Sequence, residues 1–173
     1  MQAFIALGAN LGDPAAQVER AIGELAQLPE TRLTACSALY LSKPVGYTEQ
    51  PDFINAVASV ATTLPPRALL EALLEIEARH GRSRAFKNAP RTLDLDLLLY
   101  DGLVLHECGL TLPHPRMCER AFVLQPLDEI APGQIIPGKG SVADCLATCL
   151  ATCLANSAAA PLQRLHRPAQ NAA

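Results

Sequence analysis

Apolar and polar positions along the chain alternate between a helical and a strand period, and the changes of period mark out the elements. Residues 3–7 form a short apolar run ending at Gly8, the pattern of a buried strand. After the turn-forming stretch Gly8-Ala9-Asn10-Leu11-Gly12-Asp13-Pro14, apolar residues recur at helical spacing at Val18, Ala21, Ile22, Leu25 and Leu28. Asp13 suits an N-cap with Pro14 at the first helical position, and Pro29 stops the helix. Residues 33–41 and 53–62 predict two further strands, separated by a stretch too rich in Pro, Gly and polar residues to be regular. Pro65-Pro66 opens a second helix with Leu69, Leu73, Ile76 and His80 on one face and Gly81 as its stop. A polar, basic loop follows over 82–90. The leucine-rich run 93–100, the pair Asp101-Gly102 and the run 103–105 predict a hairpin, because Asp-Gly suits a tight primed turn. A third helical piece is expected from near Pro115, a last helix over 141–155 and a closing strand over 162–165. Helices and strands alternate, but a hairpin needs antiparallel pairing, so the fold class expected is α+β.

Composition narrows this picture. The 173 residues are 50% apolar and 18% charged, which suits one domain with a sizeable core, expected over residues 1–167 with a frayed tail over 168–173. No apolar run has the length needed to span a bilayer, and the apolar N-terminus lacks the basic flank of a secretory signal. A soluble, cytoplasmic monomer is expected. Fourteen basic against seventeen acidic side chains give a net charge of −3, which argues against a nucleic-acid partner held by bulk positive charge. Without an export signal the six cysteines are expected to be reduced thiols. Cys145, Cys149 and Cys153 recur every four residues, so the outer two lie about 12 Å apart along a helix, too far for one metal ion. They are expected, beside Leu146, Leu150 and Leu154, to form a packing stripe.

The strongest chemical signal is Asp94-Leu95-Asp96. On a strand, Asp94, Asp96 and Leu98 share one face while Leu93, Leu95, Leu97 and Leu99 share the other. Two neighbouring carboxylates repel, and a hard cation such as magnesium, which leaves room for substrate phosphates, is the natural compensation. A solvated strand face with two surface aspartates is the plainer alternative. The surroundings favour the cation: Arg82, Arg84, Lys87 and Arg91 fall within ten positions just upstream, and His114, Arg116 and Arg120 follow the expected hairpin. Such local positive charge beside a magnesium site suits a polyphosphate, though one or two of these arginines could pair with surface glutamates. Phe53 and Asn55 share one face of their strand, an aromatic plate beside an amide that could hold a flat heterocycle. The loop from Gly8 to Gly12 matches neither nucleotide-binding glycine fingerprint and reads as a tight turn or a mobile edge.

The segment Lys87-Asn88-Ala89-Pro90-Arg91-Thr92-Leu93-Asp94-Leu95-Asp96-Leu97-Leu98 is similar to the signature of the 6-hydroxymethyl-7,8-dihydropterin pyrophosphokinases. Ala6-Leu7-Gly8-Ala9-Asn10-Leu11-Gly12, Gln50-Pro51-Asp52-Phe53-Ile54-Asn55-Ala56, Glu77 with Gly81-Arg82-Ser83-Arg84, and Leu112-Pro113-His114-Pro115 with Arg120-Ala121-Phe122 resemble the family in the expected order, over about residues 3–137. The resemblance implies a ferredoxin-like α+β domain that passes pyrophosphate from ATP to the pterin hydroxymethyl group, releasing AMP, in folate biosynthesis. It implies that Asp94 and Asp96 hold two Mg2+ ions and, with Arg82 and Arg91, carry the catalysis. Glu77, Arg82, Arg84, Arg91, His114 and Arg120 would bind ATP. Ser42, Val45, Phe53, Asn55 and Phe122 would bind the pterin. A magnesium-dependent nucleotide phosphohydrolase built on the same residues and a non-catalytic ferredoxin-like ligand sensor are the other readings.

Overall fold

In the computed structural model, which describes residues 1–44, 49–81, 91–155 and 162–165, the first strand lies inside the main sheet, paired on both sides. This strand, β1 (Gln2–Ala9), leads into α1 (Pro14–Leu25), where the Asp13 side chain accepts a hydrogen bond from the Ala16 amide as the expected cap. Then come β2 (Thr31–Cys36), β3 (Leu39–Ser42), β4 (Phe53–Thr62), α2 (Pro66–Arg79) and β5 (Asp94–Tyr100). Strands β6 (Leu105–Glu107) and β7 (Leu110–Leu112), a 3-10 turn at Met117–Glu119, α3 (Ala121–Ile130), β8 (Ile135–Ile136), β9 (Gly140–Ser141), α4 (Val142–Ala155) and β10 (Gln163–Leu165) complete the described chain. The main sheet is antiparallel throughout, ordered β10-β3-β4-β1-β5, with β2 also on β4. The expected α+β class is therefore the observed one.

Alternation along the strands divides the interior into two cores. Ile5, Leu7 and Ala9 of β1 join Ile54, Ala56, Ala58 and Val60 of β4 beneath the apolar faces of α1 and α2. On the opposite face, Phe4, Val57 and Leu98 pack under Val123, Leu124 and Leu127 of α3 and Val142, Cys145 and Cys149 of α4. Each fully buried Leu or Ile contributes roughly 1.5–3 kcal/mol, so these two layers hold the sheet rigid between them.

Four expectations need correction. The strand expected over 33–41 is broken into β2 and β3 at Ser37-Ala38. There the Ser37 hydroxyl accepts from the Val57 amide at 3.0 Å in place of a carbonyl, and the Ala38 amide turns to the Glu129 carboxylate. The hairpin expected after 93–100 does not form. A primed turn of this kind needs positive φ at both central residues, and Asp101 has it (φ 45°) while Gly102 does not. The Asp101 carboxylate instead accepts from the Gln2 amide, finishing the β1–β5 ladder, and the real hairpin is β6–β7, turning at Gly109 with φ 74°. A register shift between Phe4 and Ile5 of β1 inserts an extra residue opposite in β5. Leu99 consequently joins Leu98 in the second core and Tyr100 joins the first, against the strict alternation expected. Finally, the helix expected near Pro115 begins as the 3-10 turn at Met117–Glu119, and α3 itself starts at Ala121.

The cysteine repeat lies on α4 as a packing stripe: Cys145 and Cys149 are buried, and Cys153 packs on the same core. The leucines beside it differ from expectation, since Leu146 is half-buried whereas Leu150 and Leu154 are exposed, Leu154 to 74%. None of the six cysteines is in a disulfide. The expectation of a frayed tail over 168–173 lies outside the described residues.

Candidate active site

The site grows from the part of β5 that precedes the bulge. There the alternation holds, so Leu95 and Leu97 enter the first core while Asp94 and Asp96 project from the opposite face. Glu77, on α2 and only 1% exposed, accepts a 2.7 Å hydrogen bond from the Leu95 amide. A buried carboxylate thus holds the strand between the two aspartates, on the edge that β1 leaves unpaired. The Glu77 side chain braces β5 and also lines the cavity beside it.

Both aspartates have cationic neighbours. Arg91 pairs with Asp94. Arg120 Nη1 lies 3.3 Å and His114 Nε2 3.8 Å from Asp96 Oδ2. The Arg120 guanidinium also sits 5.8 Å above the centre of the Phe122 ring, within cation–π range. His114 is fixed by its own backbone, whose amide donates to the Leu98 carbonyl at 2.8 Å. Its Nδ1 accepts from the Arg116 amide, so the neutral ring carries its proton on Nε2, facing Asp96. Burial pushes the His114 pKa below its ordinary value; Asp96 pulls it up, and Arg120 and Arg116 push it further down. The ring is therefore a neutral hydrogen-bond donor at neutral pH.

Beside this cluster opens a cavity of about 780 Å³, walled on its apolar side by Leu70, Leu74, Leu97 and Leu110 and on its polar side by Glu77, Asp96, Thr111 and His114. Its volume and mixed lining suit a ligand with a flat apolar part and a charged part.

The second half of the site lies two strands away. Asn55 is 5% exposed, and its amide nitrogen donates to Ser42 Oγ at 2.9 Å and to the Tyr40 carbonyl at 3.3 Å. Ser42 faces Phe53 in the β3–β4 register, and Phe53 stands half-buried at the head of β4. Phe122, on the first turn of α3, is half-buried against the second core. Described residues among those expected in the site thus gather at one end of one sheet face: Asp94, Asp96, Arg91, His114 and Arg120 at one side, Ser42, Phe53 and Asn55 at the other. Arg82, Arg84 and Val45 lie outside the described residues.

Two residues that hold this end together carry no role in the sequence reading. Asn10 is 2% exposed and joins three segments: Oδ1 accepts from the Arg91 amide, Nδ2 donates to Gln50 Oε1 and the Pro51 carbonyl, and its own amide donates to the Arg91 carbonyl. The stretch 8–14 reads from sequence as a turn, and nothing local tells an asparagine that shapes its own turn from one that bridges distant loops. Glu129 on α3 accepts from the Ala38 amide, the Tyr40 hydroxyl and Arg164. It thereby anchors both β3 and β10. An acidic residue late in an amphipathic helix gives no such signal.

A sheet that brings two carboxylates, two guanidinium groups, a neutral imidazole and a nucleotide-sized cavity to one edge, with an amide and aromatic rings alongside, has the parts of a phosphoryl-transfer site. The family model described as 7,8-dihydro-6-hydroxymethylpterin-pyrophosphokinase (HPPK) matches residues 4–132. The chain is 45% identical over 144 residues to the 2-amino-4-hydroxy-6-hydroxymethyldihydropteridine pyrophosphokinase of Pseudomonas aeruginosa, covering 83% of this chain and 89% of that one. It is 43% identical over 142 residues to the protein of the same name from Haemophilus influenzae, again covering 89% of the relative. Among solved structures, the HPPK-DHPS of Plasmodium falciparum, as a triple mutant with pteroate, superposes with a TM-score of 0.71 at 12% identity. That match covers 91% of this chain and 44% of the other, a likeness of fold. The chain belongs to the 7,8-dihydro-6-hydroxymethylpterin-pyrophosphokinase family.

Proposed function

We propose that the open end of the sheet is where a pyrophosphoryl group passes from ATP to the hydroxymethyl group of 6-hydroxymethyl-7,8-dihydropterin, leaving AMP, as a step of folate synthesis. Family membership carries the reaction. The observation that carries its location is the pair Asp94 and Asp96 on one face of β5, ringed by Arg91, His114 and Arg120 and opening on the cavity.

The donor set fits magnesium. It consists of two partly exposed carboxylates with oxygen ligands only, leaving coordination positions for water and phosphate. Asp94 and Asp96 are the residues that would hold two Mg2+ ions. When bound, the metal neutralises phosphate charge and lowers the proton affinity of the attacking hydroxyl. The donors that neighbour the aspartates in the free protein are then at hand for the phosphates: the guanidinium groups of Arg91 and Arg120 and the Nε2–H of the neutral His114 ring all lie within reach of where the triphosphate would run. Arg82 and Arg84 are assigned to the same phosphates on the resemblance. The apolar wall of Leu70, Leu74, Leu97 and Leu110 would take the adenine and ribose, and Glu77 keeps β5 in place beside it. Asn55 would bind the pterin edge, with Ser42 beside it and Phe53 and Phe122 against the ring faces, and Val45 is assigned to the pterin on the resemblance.

We also read the sheet as ferredoxin-like. The order β5-β1-β4-β2/β3, built from two split β-α-β units, supports this. Residues 1–167 are read as one catalytic domain working as a cytoplasmic monomer, a setting that suits six cysteines with no disulfide among them.

The test is a product assay with ATP, Mg2+ and 6-hydroxymethyl-7,8-dihydropterin. AMP and pyrophosphorylated pterin forming in equal amounts, and only when the pterin is present, is the expected result. Release of inorganic phosphate independent of pterin would identify a nucleotide phosphohydrolase instead.

A further inference from the structure

On the face that carries the site, β1 presents Phe4, Ala6 and Gly8 in turn, a side-chain series that shrinks toward the site. Phe4 is in the second core, Ala6 lies at its border opposite Val57 and Asp96, and Gly8 lies opposite Asn55 on β4 and Asp94 on β5. Neighbouring strands are about 4.8 Å apart, so Asn55 and Asp94 stand roughly 10 Å apart with Gly8 as the floor between them.

Glycine is disfavoured inside a strand, and the usual reasons for one are missing here. Gly8 is not among the glycines with positive φ, so the backbone does not demand it. A Cβ built on Gly8 would meet one group within 4 Å, Asn55 Oδ1 at 3.5 Å, an ordinary van der Waals contact. Backbone and packing therefore both accept alanine. A glycine standing where the protein itself does not need one marks the close approach of something else.

Asn55 indicates what approaches. It is 95% buried, its amide nitrogen is committed to Ser42 and the Tyr40 carbonyl, and its Oδ1 stands over Gly8 and accepts no hydrogen bond among the described residues. An acceptor on a nearly buried side chain, turned toward an open floor, is poised for a donor on a ligand.

We propose that Gly8 determines acceptor specificity: the gap left by its missing side chain is where the hydroxymethyl arm of the pterin crosses β1 from Asn55 to the aspartates. The proposal rests on the site reading given above, and deepens it by saying which part of the acceptor each residue meets. Asn55 holds the ring, and Gly8 admits the substituent.

The experiment measures dissociation constants of two ligands, 6-hydroxymethyl-7,8-dihydropterin and unsubstituted 7,8-dihydropterin, in the presence of a non-hydrolysable ATP analogue and Mg2+. Gly8→Ala is expected to weaken the hydroxymethyl compound at least tenfold relative to the unsubstituted one, with nucleotide affinity within twofold and a thermal midpoint no lower than that of the parent. Gly8→Ser, which adds one more atom over the same floor, is expected to lose at least as much. Equal weakening of both pterins, unchanged affinity for both, or failure of Gly8→Ala to fold would overturn the proposal. In the last case packing would be what requires glycine. Asn55→Ala separates this from the site reading. If it weakens both pterins while Gly8→Ala changes neither, only the role of Gly8 falls; if neither variant changes binding, the location of the pterin site falls with it.

Discussion

The two faces of the sheet are made by the same strands and finished differently. On the first face, Ile5, Leu7 and Ala9 of β1 and their neighbours on β4 are covered along their length by α1 and α2, and every position is apolar. On the second, α3 and α4 cover the half around Phe4, Val57 and Leu98, and the half around Gly8, Asn55 and Asp94 carries the polar groups of the site. Alternation gives Asp94, Asp96 and Asn55 an apolar neighbour on either side pinned in the first core: Leu93 and Leu95 beside Asp94, Leu95 and Leu97 beside Asp96, Ile54 and Ala56 beside Asn55. The closed face supplies the rigidity that the open half cannot supply for itself, which is how groups that repel one another are held in position.

This division predicts separable losses. The largest belongs to the open half: replacing Asp94 and Asp96 together by alanine should reduce pterin-dependent AMP formation on the order of 10³-fold, the scale of losing a transition-state charge contact. The thermal midpoint should stay near that of the parent, because both carboxylates are partly exposed. Near-normal magnesium-dependent turnover would remove the aspartates from the chemistry. The next belongs to the closed face. Leu73 is fully buried, and Leu73→Ala should lower unfolding free energy by about 3 kcal/mol, within the range for such truncations. Turnover of the molecules that remain folded should hardly change. A variant that kept its stability and lost activity would show that the faces are not separable in this way.

The sequence carried most of the closed face and the chemistry of the open one, for physical reasons. Helical spacing at Val18, Ile22 and Leu25 and strand alternation from Asp94 to Leu97 are local patterns, and local patterns survive into the structure. What failed depended on partners distant in the chain. The bulge that moves Leu99 to the second core answers to Phe4 and Ile5, and the break at Ser37 answers to Val57 and Glu129. The Asp101-Gly102 pair has a hairpin's composition, but Gln2 captures its carboxylate. Asn10 and Glu129 were invisible for the same reason: each is defined by what it joins.

Asn10 gives a smaller and local test of whether the open half needs its own ties. Asn10→Ala removes the acceptor of the Arg91 amide and the donor to Gln50 and Pro51. Losses of about 1–2 kcal/mol are typical when a buried hydrogen-bonding partner is removed. The expected signature is faster hydrogen exchange at the Arg91 amide with unchanged protection in β1 and β4. Protection lost uniformly over the sheet would mean that Asn10 supports the whole fold rather than one end of it.

The smallest effect is a titration, and it reports how dry the open half is. Burial depresses the His114 pKa, Asp96 partly restores it, and Arg120 and Arg116 lower it again. The acceptor role of Nδ1 toward the Arg116 amide works in the same direction, since a proton there would face another donor. The folded protein thus binds this proton less readily than the unfolded chain. The sign follows: above the ordinary histidine range, about 6.5, the group leaves stability unchanged. As pH falls through that value the unfolded chain takes up the proton first, and stability declines until the folded-state value is passed. An NMR titration of the His114 ring should find its midpoint below that of a histidine in a peptide, and ATP with Mg2+ should move the midpoint by bringing phosphate against Nε2 and screening Asp96. A midpoint at or above the peptide value in the free protein would mean that water fills this end of the sheet as freely as it does the surface.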